Sequence, residues 1–348
     1  MKMKRFILTF AAIVAICAAS AAGADETRHF PAPSTVSPEM AAAVDKTAGE
    51  LWYSEPKSVE EWNKITGGYT EWAAPHAVET AKQLGVTITE EKISGVTVRT
   101  LTPKTIDEDK KDKIIYYIHG GGYVFGDGVA GTLEGTLMAA FNNYRVVAVD
   151  YRLAPQHPYP AAIDDAFAVY RELVKKYGAQ NIAVLGTSTG GAMTLILALQ
   201  CIEGGVPVPG ALISGTPWSE MDKIGDSYVT NEGVDNILGT YDHLIKASAE
   251  VYADGADLKD PLISPIYAKA EELAQFPPTL LVTGTRDLFL SNTARMHKLL
   301  LINGAEAELL VYEALSHAQY YLVPDAPETA DHHKLMDMFL DEHFLKKN

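Results

Sequence analysis

The chain has 348 residues, 47% of them hydrophobic and 21% charged. That composition excludes a disordered, collagen-like or polytopic membrane protein and suffices for a large buried core. Its 29 basic residues against 45 acidic ones leave a formal charge of −16. No basic field is available to displace counterions from phosphates, which argues against nucleic acid and anionic membrane as partners.

Residues 1–24 read as a secretory signal peptide. Lys2, Lys4 and Arg5 precede an apolar run from Phe6 to Ala19, and Ala22-Gly23-Ala24 offers small residues for cleavage before Asp25. The run is short for a spanning helix, so the expectation is a secreted or periplasmic protein with no stable membrane anchor after cleavage. Of the two cysteines, Cys201 alone survives cleavage, and its apolar helical setting suits a buried small hydrophobe. The lack of Cys-x-x-Cys and His-Glu-x-x-His pairs argues against a zinc site.

Residues 25–85 read as short amphipathic helical pieces broken by Pro31, Pro33, Pro38, Gly67-Gly68 and Pro75. They carry Trp52, Trp62 and Trp72, which either pack this segment onto the main body or line a substrate entrance. Val86 to Glu91 and Val96 to Leu101, separated by Ser94-Gly95, predict a β-hairpin. From there apolar strand candidates alternate with helical patterns: Ile114 to Ile118, Arg145 to Val149, Ile182 to Leu185, Ala211 to Ser214, Leu280 to Thr283 and Leu309 to Tyr312. Continuous apolar runs suit strands buried on both faces, and Ala161 to Tyr177, Gly190 to Glu203 and Asn292 to Asn303 suit crossover helices. The predicted class is α/β, a mostly parallel sheet covered by helices. Thr216 to Pro278 breaks the rhythm, holds one helical piece around Tyr241 to Tyr252, and reads as an insertion over the sheet's edge.

Gly186-Thr187-Ser188-Thr189-Gly190-Gly191 follows the strand at Ile182 and opens a helical run. This is G-x-S-x-G in the setting where a sharp strand-to-helix turn, permitted by Gly186 and Gly190, holds a serine out at the top of a sheet. A serine needs a base, and the base an orienting acid. On such a sheet both come from loops after later strands, acid before base. Five of the ten histidines, His29, His76, His119, His157 and His243, precede any such acid; His297 lies in a helical pattern, and His332, His333 and His343 in the C-terminal helix. His317 directly follows a strand, and Asp287 ends the loop after Leu280. Asp235, Asp260 and Asp325 read as turn or capping residues. Ser188 is therefore the candidate nucleophile, His317 the base and Asp287 the residue that fixes the imidazole. His119-Gly120-Gly121-Gly122 follows the strand at Ile114. Its glycines let backbone N–H groups reach an acyl oxygen, with Gly121, Gly122 and Thr189 as candidate donors and His119 and Gly120 as the structural start of the loop. A phosphate-binding reading lacks the Lys-Ser/Thr ending.

With these residues in view, the chain resembles the hormone-sensitive-lipase-like branch of the α/β-hydrolase superfamily, a group of bacterial carboxylesterases and lipases. The resemblance spans about Ile114 to Phe344. It rests on His119-Gly120-Gly121-Gly122, on the stretch from Tyr151 to Ala162, on the serine motif, on Asp260-Pro261-Leu262-Ile263-Ser264-Pro265, and on the Asp287 and His317 loops. It implies an eight-stranded sheet, a helical cap from residues 25–85 and 216–258, a catalytic domain from residues 86–215 and 259–348, and no metal or organic cofactor. It also implies a small-molecule ester as substrate, cleaved by a serine carboxylesterase on short- to medium-chain acyl groups, and is compatible with a homodimer. Thr187 and Thr189 stand where the commonest family motif has Asp and Ala; a branch with Thr at the first position is the closer match. A serine peptidase or amidase on the same fold, and a ligand-binding relative without catalysis, are the alternative readings.

Overall fold

The computed structural model describes residue 28 and residues 30–345. The expected leader, residues 1–24, lies outside the described residues. Eight strands form one sheet: β1 (Thr87–Ile93), β2 (Val96–Thr102), β3 (Ile114–Ile118), β4 (Arg145–Asp150), β5 (Ile182–Thr187), β6 (Ala211–Gly215), β7 (Thr279–Gly284) and β8 (Ala307–Tyr312). Their order is β1-β2-β4-β3-β5-β6-β7-β8. β1 and β2 form the antiparallel hairpin turned at Ser94-Gly95, β2 pairs antiparallel with β4, and every pairing from β4 to β8 is parallel.

β3, β5, β6 and β7 are buried along their whole length, which is why they read as unbroken apolar runs. Their alternate residues split between the two faces. Ile114, Tyr116 and Ile118 join one core cluster, and Ile115 and Tyr117 the other, the period-two signature of a strand. Helices cover both faces: α1 (Pro38–Val44), α2 (Val59–Leu84), α3 (Leu133–Asn142), α4 (Ala161–Tyr177), α5 (Thr189–Gly204), α6 (Ser227–Thr230), α7 (Leu244–Ala253), α8 (Ala270–Leu273), α9 (Leu290–Ile302), α10 (Gln319–Leu322) and α11 (Pro327–Leu340). α5 is apolar on every side and buried nearly throughout, Cys201 included, as a helix packed at the centre of the molecule must be. Burial pushes the Cys201 thiol up to about 12, so it stays a protonated packing group.

The N-terminal segment departs from the expected string of short pieces. Residues 59–84 form a single helix of 26 residues that runs through Gly67, Gly68 and Pro75. Ser58 caps its start by accepting from Glu61 N, and Gly85, at φ 70°, closes it. Pro75 forgoes one helical hydrogen bond on an exposed face. The buried residues Trp62, Ala73, Ala77 and Ala81 anchor the opposite face, so tertiary packing overrides local breakers. His343 also departs from expectation: α11 ends at Leu340, and His343 sits in a π turn over Asp341–Leu345.

Register places the chemistry. Ile118 pairs with Gly186, Gly186 with Ser214, Thr187 with Gly215, and Gly284 with Tyr312. The carboxyl ends of β3, β5, β6, β7 and β8 therefore lie along one edge, and the loops that follow them share one crevice. The long segment between β6 and β7 folds back over that edge, where Tyr252 of α7 stacks on Tyr123 with ring centroids 3.6 Å apart. The N-terminal segment meets it through Glu55, which accepts from His243 at 2.7 Å.

Candidate active site

Ser188 is the pivot between β5 and α5. Its backbone sits at φ 65° and ψ −124°, a conformation a non-glycine residue holds only when its surroundings impose it. The constraint is visible: Ser188 N donates to Gly215 O at 2.9 Å, while Ser188 O accepts from Ala192 N at 3.0 Å and Trp218 N at 3.2 Å. The flanking glycines are required by close backbone approach. A Cβ on Gly186 would lie 2.3 Å from Gly190 O, and one on Gly190 only 2.1 Å from Ile118 O. The first turn of α5 thus rests directly on the end of β3, and Thr189, at the helix's first position, has an N–H with no acceptor inside the helix.

The loop after β3 packs into the same corner. A Cβ on Gly120 would meet Thr187 O at 2.5 Å. Gly121 and Gly122 have φ of 121° and 63°, values that let successive N–H groups turn toward one concavity. His119 holds the loop's base: its Nδ1 lies 2.8 Å from Gly120 O, its ring stacks on Tyr151 at 4.1 Å, and its own carbonyl accepts from Tyr151 Oη at 2.8 Å. Burial lowers the His119 pKa and keeps the ring neutral. Gly122 faces Ser248 of α7, whose Oγ would stand 3.3 Å from an added Cβ.

Asp287 and His317 meet beside Thr216, whose neighbour Gly215 accepts from Ser188 N. His317 Nδ1 lies 3.1 Å from Asp287 Oδ1, and both residues are buried, Asp287 fully. Asp287 Oδ1 also accepts from Phe289 N at 2.8 Å; Oδ2 accepts from Thr283 Oγ1 at 2.8 Å and from Thr216 Oγ1. A buried carboxylate needs such donors to persist. Phe289 and the imidazole pack edge to face with ring centroids 4.9 Å apart, and Phe289 in turn stacks on buried Trp218. His317 Nε2 is buried with no hydrogen-bond partner. The Ser188–His317 bond is therefore not formed here, a looseness common before substrate binds.

Three residues around this constellation escaped the sequence reading. Thr216, with φ 33°, directs its hydroxyl at Asp287 Oδ2 and lies 3.1 Å from His317 Nδ1; its position directly after β6 is the one signal that could have found it. Asp235 does shape a turn, accepting from Ile237 N and Leu238 N, yet its Oδ2 also accepts from Leu288 N at 2.8 Å, one residue past Asp287. Burial, then the nearby Asp287 charge, push Asp235 up to about 6. Glu134 of α3 accepts from Thr187 Oγ1 at 2.6 Å, and Thr187 Oγ1 lies 3.3 Å from Tyr320 Oη. Burial pushes Glu134 up to about 7, against hydrogen bonds from Thr187 and Tyr117 that lower it. Thr187 thus ties the serine turn to a buried carboxyl on α3.

Comparison with known proteins places this arrangement. Residues 115–321 match a family model described as alpha/beta hydrolase fold. An acetyl-hydrolase of Streptomyces hygroscopicus is 27% identical over 235 residues, 67% of this chain and 77% of that protein. Esterase LipI of Mycobacterium tuberculosis is 34% identical over 228 residues, 63% of this chain and 69% of that one. The crystal structure of an esterase superposes with a TM-score of 0.87 at 41% identity, covering 93% of this chain and 99% of its own. A hormone-sensitive-lipase homologue from a metagenome library gives a TM-score of 0.69 at 25% identity, covering 82% of this chain and 98% of its own. The chain belongs to the α/β-hydrolase-fold family, on its branch of carboxylic ester hydrolases similar to hormone-sensitive lipase.

Proposed function

We propose that this carboxylic ester hydrolase works through a serine acyl-enzyme on esters of short to medium acyl chains, with Ser188 as nucleophile, His317 as general base and acid, and Asp287 as the residue orienting His317. The observation that carries the reading is the meeting of three post-strand loops: a serine held in strained backbone, and a buried histidine whose Nδ1 is engaged by a buried carboxylate while Nε2 stays free. In this reading Ser188 Oγ attacks the ester carbonyl as its proton passes to His317 Nε2. The negative charge that develops on the carbonyl oxygen is met by the N–H groups of Gly121, Gly122 and Thr189. Collapse of the tetrahedral species releases the alcohol with the proton from His317, and water, deprotonated by the same imidazole, then cleaves the acyl-enzyme. The limit on acyl length draws support from the likeness to a relative named acetyl-hydrolase.

A fluorophosphonate probe should label the wild type and not Ser188→Ala, and nitrophenyl esters should be turned over with a preference that falls beyond medium chain length. An unlabelled wild type sinks the serine mechanism. A matched amide cleaved as fast as the ester would favour the amidase reading. We also propose export, supported by the basic start and apolar run of residues 1–24. Cell fractionation with N-terminal sequencing tests this, and a full-length cytoplasmic product counts against it.

A further inference from the structure

Resting on that serine reading, we propose that Asn236, backed by Asp235, is a positioning residue of the reaction: one dipeptide of the inserted segment holds both the loop of the acid and the loop of the base. Asp235 Oδ2 accepts from Leu288 N at 2.8 Å, the residue after Asp287. Asn236 N donates to Ser316 Oγ at 3.1 Å, the residue before His317, and Asn236 Oδ1 accepts from Gln319 Nε2 at 3.0 Å. Gln319 Oε1 in turn accepts from Ser316 N at 2.9 Å, so the base is bracketed from both sides. The same Asn236 amide donates to Ala43 O at 2.7 Å and Val44 O at 3.1 Å, the end of α1. Asn231, in the same short segment, donates to Asp287 O at 2.8 Å.

The two loops do touch each other directly, through Arg286 N and Leu315 O at 3.0 Å. That bond joins residues just before the acid and two before the base. That contact involves neither the insertion nor α1. The bonds from Asp235 and Asn236 add both elements, and so make the seating of α1 and the insertion a condition for an aligned His317. A misplacement on the order of 1 Å can cost roughly 10²-fold in rate, so the effect belongs in turnover rather than in substrate affinity.

Asn236→Ala is the first test, measured beside the wild type on an acetyl and a butyryl nitrophenyl ester. Expected is a fall in kcat of about 10-fold or more with KM within about two-fold, an equal fall in the rate of fluorophosphonate labelling, and an unchanged acetyl-to-butyryl ratio. Gln319→Glu cuts the same link from the other side while keeping the acceptor for Ser316 N. It should give a similar loss, and the double variant should be little worse than either single one. If Asn236→Ala does not fold, as judged by circular dichroism, Gln319→Glu carries the test. Unchanged kcat and labelling rate in the folded variants overturn the positioning role, as does an altered acyl ratio with normal labelling, which would make these residues part of the substrate wall. An unlabelled wild type would instead remove the serine reading on which this one stands.

Discussion

At the scale of single residues, the serine turn is governed by how closely three backbones approach. Gly190 lies against Ile118 O with room for a hydrogen and nothing larger. Gly190→Ala should therefore displace α5 from β3 and lower stability by about 1–3 kcal/mol, the usual range for overpacking, with loss of labelling at Ser188; thermal unfolding and probe kinetics read both. Gly121 sits at φ 121° with Phe125 O 2.5 Å from an added Cβ. Gly121→Ala should lower kcat by ~10²- to 10³-fold, the range for loss of an oxyanion donor, with a small change in KM. Glu134 sets a pH dependence. Its folded pKa of about 7 lies above the range of an exposed carboxyl, so between about pH 4.5 and 7 the unfolded chain has released a proton that the folded chain still holds. Stability from this group is full below that window and declines as pH rises through it, by an amount on the order of 3 kcal/mol. Glu134→Gln should remove this decline, checked by denaturant titrations at pH 5 and pH 8.

At the scale of elements, α2 shows local preference overruled by packing. Gly67, Gly68 and Pro75 each disfavour a helix interior, and a reader of the chain alone breaks the segment there. The helix forms because Trp62, Ala73, Ala77 and Ala81 fall on one buried face and because both ends are capped. Nothing lies within 4 Å of a Cβ added at Gly67 or Gly68. Gly67→Ala with Gly68→Ala should add about 0.5–1 kcal/mol per site and raise Tm while leaving kcat unchanged. The central strands were legible because burial on both faces makes them predominantly apolar. β8, at the sheet's edge, is nowhere fully buried and is exposed at Glu308 and Val311, and its start at Ala307 precedes the apolar stretch that marks it in the sequence.

At the scale of the whole molecule, two separated stretches of chain converge on one crevice. Residues 231–236 reach the acid and base loops, α1 reaches Asn236, and α7 covers the glycine loop through Tyr252. Acid stability follows from two histidines of the C-terminal helix. His332 and His333 of α11, the first packed on Tyr320 and the second bonded to Asn142 of α3, are buried neutral; desolvation holds His332 well below the ordinary range and lowers His333 to about 3. Because their folded pKa values are depressed, the unfolded chain binds protons first as pH falls below about 6.5. Their stabilising contribution is present above that value and lost below it. His333→Asn should flatten the fall in Tm between pH 6.5 and 5, measured by differential scanning calorimetry, with the ester preference unchanged.

The sequence by itself determined the sheet, the serine turn and the glycine loop, and singled out Asp287 and His317, which the fold brings to 3.1 Å of each other. Each follows from a local rule: strand periodicity, the absence of a Cβ at a crowded turn, and chain order along a parallel sheet. Only the tertiary structure decided the contacts of Thr216, Asp235, Asn236 and Glu134. Their hydrogen-bond partners lie tens to hundreds of positions away, and a polar residue in a turn or a helix gives no local sign of which distant group it will meet. The same holds for α2, whose continuity depends on a surface that exists only after the sheet has formed.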